Sequence, residues 1–268
     1  MSKNNQLSKK KTNLFLVLAG IFITNAIVAE LIGVKIFSGE ATLGLNPAQI
    51  PLFKDFILDF NLTAGAIIWP VVFITTDIIN EYFGKEGVKR ITYLTVVLII
   101  YVFVVIWVVT ALPPANFWVN INKTDHLGNP FNINFAYNKV FKQGLGIIIG
   151  SLIAFLIGQL LDVYIFQKLR KVTGERKIWL RATGSTLISQ LVDSFVVLFI
   201  AFYLLGNPPW SLKLVIAVGI INYIYKFSVA IILTPLLYLA HGIIDNYLGK
   251  EAAHNLTEEA AEKSSGFF

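Results

Sequence analysis

Seven ionisable side chains sit inside otherwise apolar runs of this 268-residue sequence: Glu30, Lys35, Asp77, Glu81, Asp162, Asp193 and Lys226. In hydrocarbon such groups are costly. They mark a substrate or proton site, or an ion pair that ties helices together. Counted at about 1.5 Å per helical residue from the ends of their runs, Asp77, Asp193 and Lys226 each lie about 21 Å deep. That is the middle third of a bilayer core of about 30 Å. Snorkelling is hard from there, so the trio reads either as a structural ion triad or as a site for substrate or protons. Glu81 and Asp162 fall near the basic-flanked ends of their runs, where Asp162 has the simpler option of capping Lys168 and Arg170. Glu30 and Lys35 fall near the opposite end, where reaching the interface is the competing option.

The neighbours of these groups favour a binding site. Trp69, Phe73, Asp77 and Glu81 recur every four residues and, with Thr76 and Asn80, share one helical face. Pro70 beside Trp69 is expected to interrupt the helix and free a carbonyl. Gln159-Leu-Leu-Asp162 is echoed by Gln190-Leu-Val-Asp193, each placing an amide and a carboxylate on one face, with Ser185, Thr186 and Ser189 on the side of the second. Asn222 lies one turn before Lys226. Gly146, Gly150, Ala154 and Gly158 form a ridge of small residues, read as close helix packing that turns Asp162 toward a neighbouring helix. A carboxylate accepts two parallel hydrogen bonds from an N–H/NH2 edge, amides complete such a pattern, and Trp or Phe stacks on a flat ring. A planar, nitrogen-rich heterocycle fits; an anion fits less well against five acids and two bases.

The elements that must hold these groups are membrane helices. The chain is 56% apolar and only 14% charged, against about 25% charged in soluble domains. Runs of about 20 apolar residues cover Asn13–Phe37, Thr63–Phe83, Val88–Leu112, Gly144–Phe166, Trp179–Leu205 and Leu212–Tyr238, the last continuing through Pro235 to Tyr247. The expected fold is an all-α integral membrane protein, a compact bundle of six transmembrane helices. Fifteen of the 22 Lys and Arg residues, Arg170, Arg176 and Arg181 among them, fall on one side and Lys54, Lys123, Lys139, Lys142 and Lys213 on the other. The positive-inside rule then makes both termini cytoplasmic. Residues 1–12 form a basic cytoplasmic N-terminus, 13–248 the transmembrane domain, and 249–268 a polar tail expected to be mobile. The outer connection Ser38–Leu62 suits a hairpin or re-entrant piece; Pro113–Gln143, rich in Asn and aromatics, has no clear assignment. Trp118, Trp179 and Trp210 read as interface anchors.

The net charge of +6 is thus topology, and nucleic acid is not an expected partner. Without cysteine and with three scattered histidines, no metal centre and no cofactor is expected. No HExxH, GxSxG or Walker loop points to catalysis. A channel would show rings of like residues. A small-molecule carrier is the reading left.

The stretch Pro70-Val-Val-Phe-Ile-Thr-Thr-Asp77-Ile-Ile-Asn80-Glu81-Tyr-Phe-Gly84 resembles the signature of the queuosine precursor transporter family, also called the vitamin uptake transporter family. Gly158–Asp162 with Phe166, Leu169 and Arg170 resembles a second block. Ser185-Thr186, Asp193 and Ile200-Ala-Phe202 resemble a third, and Tyr225-Lys226-Phe227 with Ala230 and Thr234-Pro235 a fourth. The long basic N-terminus and the Pro113–Gln143 connection depart from the family pattern. The resemblance implies a six-helix fold and uptake of the 7-cyano and 7-aminomethyl 7-deazaguanine bases across a bacterial inner membrane. It makes Asp77, Asn80, Glu81, Gln159, Asp162, Asp193 and Lys226 the motif residues. In this assignment Asp77 or Asp193 meets the guanine-like edge and Lys226 neutralises the other acid. Trp69 or Phe73 stacks on the base, and Gln159 and Gln190 complete recognition, with Asn222 nearby. The protein partner left open is a second copy of the chain or an energy-coupling module, which would make the chain a substrate-binding subunit docked through the small-residue ridge. An intramembrane enzyme is a third alternative.

Overall fold

The computed structural model describes residues 3–53, 56–142, 145–173, 177–206 and 208–265. Lys54, Gln143, Gly144 (the expected start of the fourth run), Arg176 and the end of the tail lie outside the described residues. Among the described residues, five helices are long and apolar enough to cross a membrane.

Helix α1 (Lys3–Ile32) takes in the basic N-terminus and ends before the expected Phe37. The turn that precedes the next long helix packs closely against the end of this one: a Cβ on Gly65 would lie 2.6 Å from the Ala29 carbonyl oxygen. Lys35 is outside the span, past the end of the helix. Its backbone N–H bonds Ile32 O at 3.1 Å and its carbonyl accepts from Ala64 N–H at 2.8 Å. The first outer connection is built of hairpin-like pairs. Strand β1 (Ile36–Ser38) pairs with β4 (Asn61–Thr63), and β2 (Ile50–Phe53) with β3 (Phe56–Leu58), both antiparallel. Between them, in the short helix α2 (Gly39–Thr42), Glu40 accepts from Phe60 N–H at 2.6 Å and from the Ser38 hydroxyl at 3.0 Å. The Phe60 bond holds this carboxyl below its ordinary range.

Helix α3 (Trp69–Ala111) carries the second and third expected runs. It starts six residues later than Thr63, after a 3-10 turn at Ala64–Ile67. Pro70 falls in its first turn, where a missing N–H costs nothing, so it starts the helix and does not break one. The break comes at Gly84, with φ 68° and ψ −173°, a conformation essentially confined to glycine. The chain bends sharply there. A Cβ on Gly87 would lie 3.5 Å from Ile79 Cγ2, although residues eight apart in a straight helix are separated by about 12 Å. The first arm, up to Phe83, is buried without interruption from Thr75 to Tyr82. The second arm presents Tyr93, Leu94, Val97, Tyr101, Val104 and Trp107 outward.

The second outer connection contains α4 (Asn116–Ile121) and α5 (Ile133–Phe141), joined through a bridge between Thr124 and Pro130. Helix α6 (Leu145–Thr173) runs past the expected Phe166. Helix α7 (Ile178–Leu198) continues as a π-helical stretch, Phe199–Leu204. The last run divides just before Pro235, into α8 (Leu212–Ile232) and α9 (Thr234–Leu248). The polar tail is a further helix, α10 (Lys250–Ser265). Ala253, Leu256 and Ala260 form a buried stripe on it, and the first two join the main core. This overturns the expectation of a mobile tail: three apolar residues at helical spacing suffice to seat it.

The glycine ridge of α6 does what its spacing predicts. A Cβ on Gly146 would lie 2.9 Å from Leu205 Cβ, one on Gly150 2.9 Å from Ala201 Cβ, and one on Gly158 3.5 Å from Asp193 Cβ. These contacts step regularly down two antiparallel helices, which fixes the register of α6 against α7.

Candidate substrate site

That register decides which polar groups meet. Asp193 stands level with Gly158, and Asp162 accepts from the Ser189 hydroxyl at 3.2 Å. Gln159 and Gln190 lie between these two rungs. The paired amide-and-acid motifs therefore form one polar ladder, with the two carboxylates about 6 Å apart along the helix axes. The capping option for Asp162 is not used: the carboxylate meets Ser189, and Arg170 turns to Glu81 instead.

Lys226 of α8 makes an ion pair with Asp193 Oδ2. Asp77 Oδ1, in contrast, is buried with no hydrogen-bond partner among the described residues. Equal depth had grouped the three; the structure joins two and leaves the third.

Two adjacent clefts collect most of the remaining candidates. One, about 220 Å³ of empty space including its open mouth, is lined by Trp69, Phe73, Phe155, Gly158, Gln159, Gln190 and Asp193. The other, about 320 Å³ on the same measure, is lined by Phe73 and Asp77 with Thr183, Thr186, Ala230, Thr234 and neighbouring aliphatics. Phe73 belongs to both and separates them. Trp69 stacks on Phe73 at 5.9 Å and meets Phe155 at 5.6 Å between ring centroids. An aromatic wall thus stands opposite carboxylates and amides, the composition that holds a flat polar ring. Thr76 donates to Gln159 Oε1 at 3.2 Å, orienting that amide, while Gln190 Oε1 is buried and unpartnered among the described residues.

Five candidates line neither cleft; one of them, Lys226, is joined to a cleft through its ion pair with Asp193. Asn80 Oδ1 accepts from Gln167 Nε2 at 2.5 Å. Glu81 is held by Arg181 through two bonds, of 3.0 and 2.6 Å, and by Arg170 at 3.6 Å. Asp162 is buried on the Ser189 rung. Asn222 is half-buried on α8 and lines neither cleft. Outside the candidate set, Glu30 accepts from Ser151 at 2.9 Å, which answers the snorkelling option: its carboxylate points inward, to α6.

Arg181, Arg170, Phe155, Thr183 and Thr234 were not among the sequence candidates. Arg181 had been counted only as cytoplasmic charge, and Arg170 as cytoplasmic charge, as a capping partner for Asp162 and as part of the second family-like block. Their signal was present. Arg181 starts the stride Arg181, Ser185, Ser189, Asp193, and Arg170 ends the stripe Gln159, Asp162, Phe166, Arg170. Phe155 lies one turn before Gln159.

Comparison with known proteins identifies relatives of the chain. Residues 63–240 match the family described as "Putative vitamin uptake transporter", a span from the outer strand to α9 that holds all the candidate residues. The chain is 30% identical to a "Probable queuosine precursor transporter" of Bacillus subtilis, over 80% of this chain and 86% of the relative. It is 28% identical to a protein of the same description from Haemophilus influenzae, over 82% of each. It is 27% identical to the "Queuosine precursor transporter" of Escherichia coli, over 78% of this chain and 84% of the relative. No solved structure gives a significant match. A family match over more than half of the chain and a polar ladder between membrane helices lead to one statement: this multi-pass membrane protein belongs to the vitamin uptake transporter family.

Proposed function

We propose that the chain is a carrier of the bacterial cytoplasmic membrane that imports queuosine precursors, flat guanine-like bases, and is not an enzyme. The observation that carries this reading is the division of labour among the three mid-membrane charges. Lys226 neutralises Asp193, and Asp77 is left with an unpartnered buried oxygen in a cleft walled by Phe73. A base entering there would present its N–H/NH2 edge to Asp77, with Phe73 or Trp69 against its face and Gln159 and Gln190 completing the donor and acceptor pattern. The names of the three bacterial relatives supply the cargo.

Six crossings with both termini cytoplasmic suit this function. The first arm of α3 with its preceding 3-10 turn covers about 30 Å, and the second arm about 40 Å, so each arm is long enough to cross separately. The alternative of a substrate-binding subunit loses its proposed docking surface, because α7 fills the ridge from Gly146 to Gly158.

The test is uptake in bacteria unable to synthesise queuosine, supplied with either precursor base at nanomolar concentration, with queuosine in tRNA as the readout. The chain is expected to restore it, also in cells without any energy-coupling ATPase module. No queuosine in the presence of well-expressed protein would end the cargo assignment. Rescue that vanishes without the module would revive the subunit reading.

A further inference from the structure

Asn80, Glu81 and Tyr82 close the first arm of α3, and each reaches a different helix. Asn80 bonds Gln167 of α6. Glu81 bonds Arg181 of α7, and its backbone carbonyl accepts from Arg170 of α6 at 3.1 Å. The Tyr82 hydroxyl donates to Asp245 of α9 at 2.7 Å and lies 2.9 Å from His241 Nδ1. Arg170 also reaches α10, donating to the Thr257 carbonyl at 2.6 Å. Arg181 is 1% exposed and Asn80 fully buried.

This layer lies beyond the Asp77 cleft on α3, α7 and α9, three of the four helices that line it; α8, which lines the cleft with Ala230, carries none of the layer's named residues. Glu81 follows Asp77 by four residues on α3, Arg181 precedes Thr183 and Thr186 on α7, and His241 follows Leu237 by four on α9. Along each helix the step is about 3 to 8 Å. The layer therefore separates the cleft from the side that carries α10 and the basic N-terminus.

A purely static seal at this place would be served better by aliphatic packing, because burying charge costs more than burying Leu or Val. An ion-pair layer differs in one useful respect: once parted, both halves can be hydrated. We propose that Glu81, Arg170 and Arg181 form the cytoplasmic gate of the carrier, and that α10, seated by Ala253, Leu256 and Ala260, is the latch that holds it shut. Gly84, three residues past Glu81, supplies the bend about which the layer is arranged. The inference rests on the cytoplasmic placement of both termini but not on the identity of the cargo.

The chain has no cysteine, so single reporters can be read without background. Thr183→Cys reports on the cleft, and Glu251→Cys, at an exposed position of α10, reports on orientation. Each is exposed to a charged, membrane-impermeant thiol reagent in inside-out and right-side-out vesicles, with no substrate present. Thr183→Cys is expected to react slowly from the cytoplasmic face. Unseating the latch with Leu256→Glu, or removing the bridge with Arg170→Gln, is expected to speed that reaction by about tenfold, the response of a two-state gate to a modest loss of bias. The milder Leu256→Ala falls between and serves if either stronger variant is lost from the membrane. Reaction from the outer face is expected to stay unchanged or to slow. Equal cytoplasmic rates in all variants overturn the gate. Reaction of Glu251→Cys in right-side-out vesicles overturns the orientation and the gate with it. Failed uptake alongside the expected labelling would count against the cargo only.

Discussion

The two arms of α3 are consecutive and both helical, yet they live in different surroundings. The first is buried on all sides from Thr75 to Tyr82 and carries two acids, an amide and two threonines there. The second has its charges only at its start, Lys85, Glu86, Lys89 and Arg90, and then turns bulky side chains outward along most of its length. A membrane helix can carry polar groups on several faces only when other helices supply partners on all of them. The first arm meets this condition: α6, α7 and α9 each answer one of its residues. The second arm has no such company and spends its exposed surface on lipid. The candidate site draws on the first arm because that arm is enclosed.

The sharpest way to break this contrast is Asp77→Asn. The exchange keeps the shape and removes the charge that receives the donor edge. Hydrogen bonds to a charged group are worth about 1.5–3 kcal/mol, so uptake at low substrate is expected to fall by about ten- to a hundredfold. Membrane expression should be unchanged, because no partner of Asp77 is lost. Normal uptake would make the acid dispensable and reduce the first arm to a structural core.

In free energy the larger effect is that of Arg181→Gln, read as thermal unfolding in detergent. It strips the bidentate partner from buried Glu81, and breaking a buried pair from one side costs about 3–5 kcal/mol. The double variant Glu81→Gln with Arg181→Gln is expected to recover a substantial part of that loss. If single and double variants melt together, the pair does not hold the arm.

Gly84→Ala tests the joint itself. Its backbone conformation costs a residue with a Cβ about 1–3 kcal/mol, to be read in the same melting experiment. No loss would mean that the arms tolerate another path between them.

How much of this was readable beforehand follows the same physics. Runs of apolar residues reveal spans because lipid demands them: the runs ending at Phe83, Leu112 and Leu205 stop within one residue of a helix end or bend, whereas those ending at Phe37, Phe166 and Tyr238 miss by five to seven residues. Pro235 does mark a break, since α8 ends at Ile232 and the proline falls in the first turn of α9, where its missing N–H costs nothing. Pro70 was misjudged because a proline looks the same at a helix start as within one; only the 3-10 turn before it tells them apart. Lys35 was misplaced because apolar strand residues after it imitate more span. The ridge from Gly146 to Gly158 was informative beyond its own helix, because small residues specify a close neighbour. Depth alone grouped Asp77, Asp193 and Lys226 but could not say which two meet. Arg170 and Arg181 were hidden by the rule that served orientation: counting basic residues near span ends assigns them to the rim, although their stride along α6 and α7 points them at Glu81.

The smallest expected effect belongs to the second arm. Val97 is 61% exposed, two turns past the last charge of that arm, and faces the surroundings rather than another helix. Val97→Ala trades one lipid-facing aliphatic for a smaller one with better helix propensity. Away from packed or polar features a substitution shifts stability by no more than about 0.5 kcal/mol, so the melting temperature and uptake should both match the unchanged chain within error. A clear loss in either would show that this face is covered, by a second copy of the chain or by another protein. The contrast between the arms would then be one between two kinds of protein contact, not between protein and lipid.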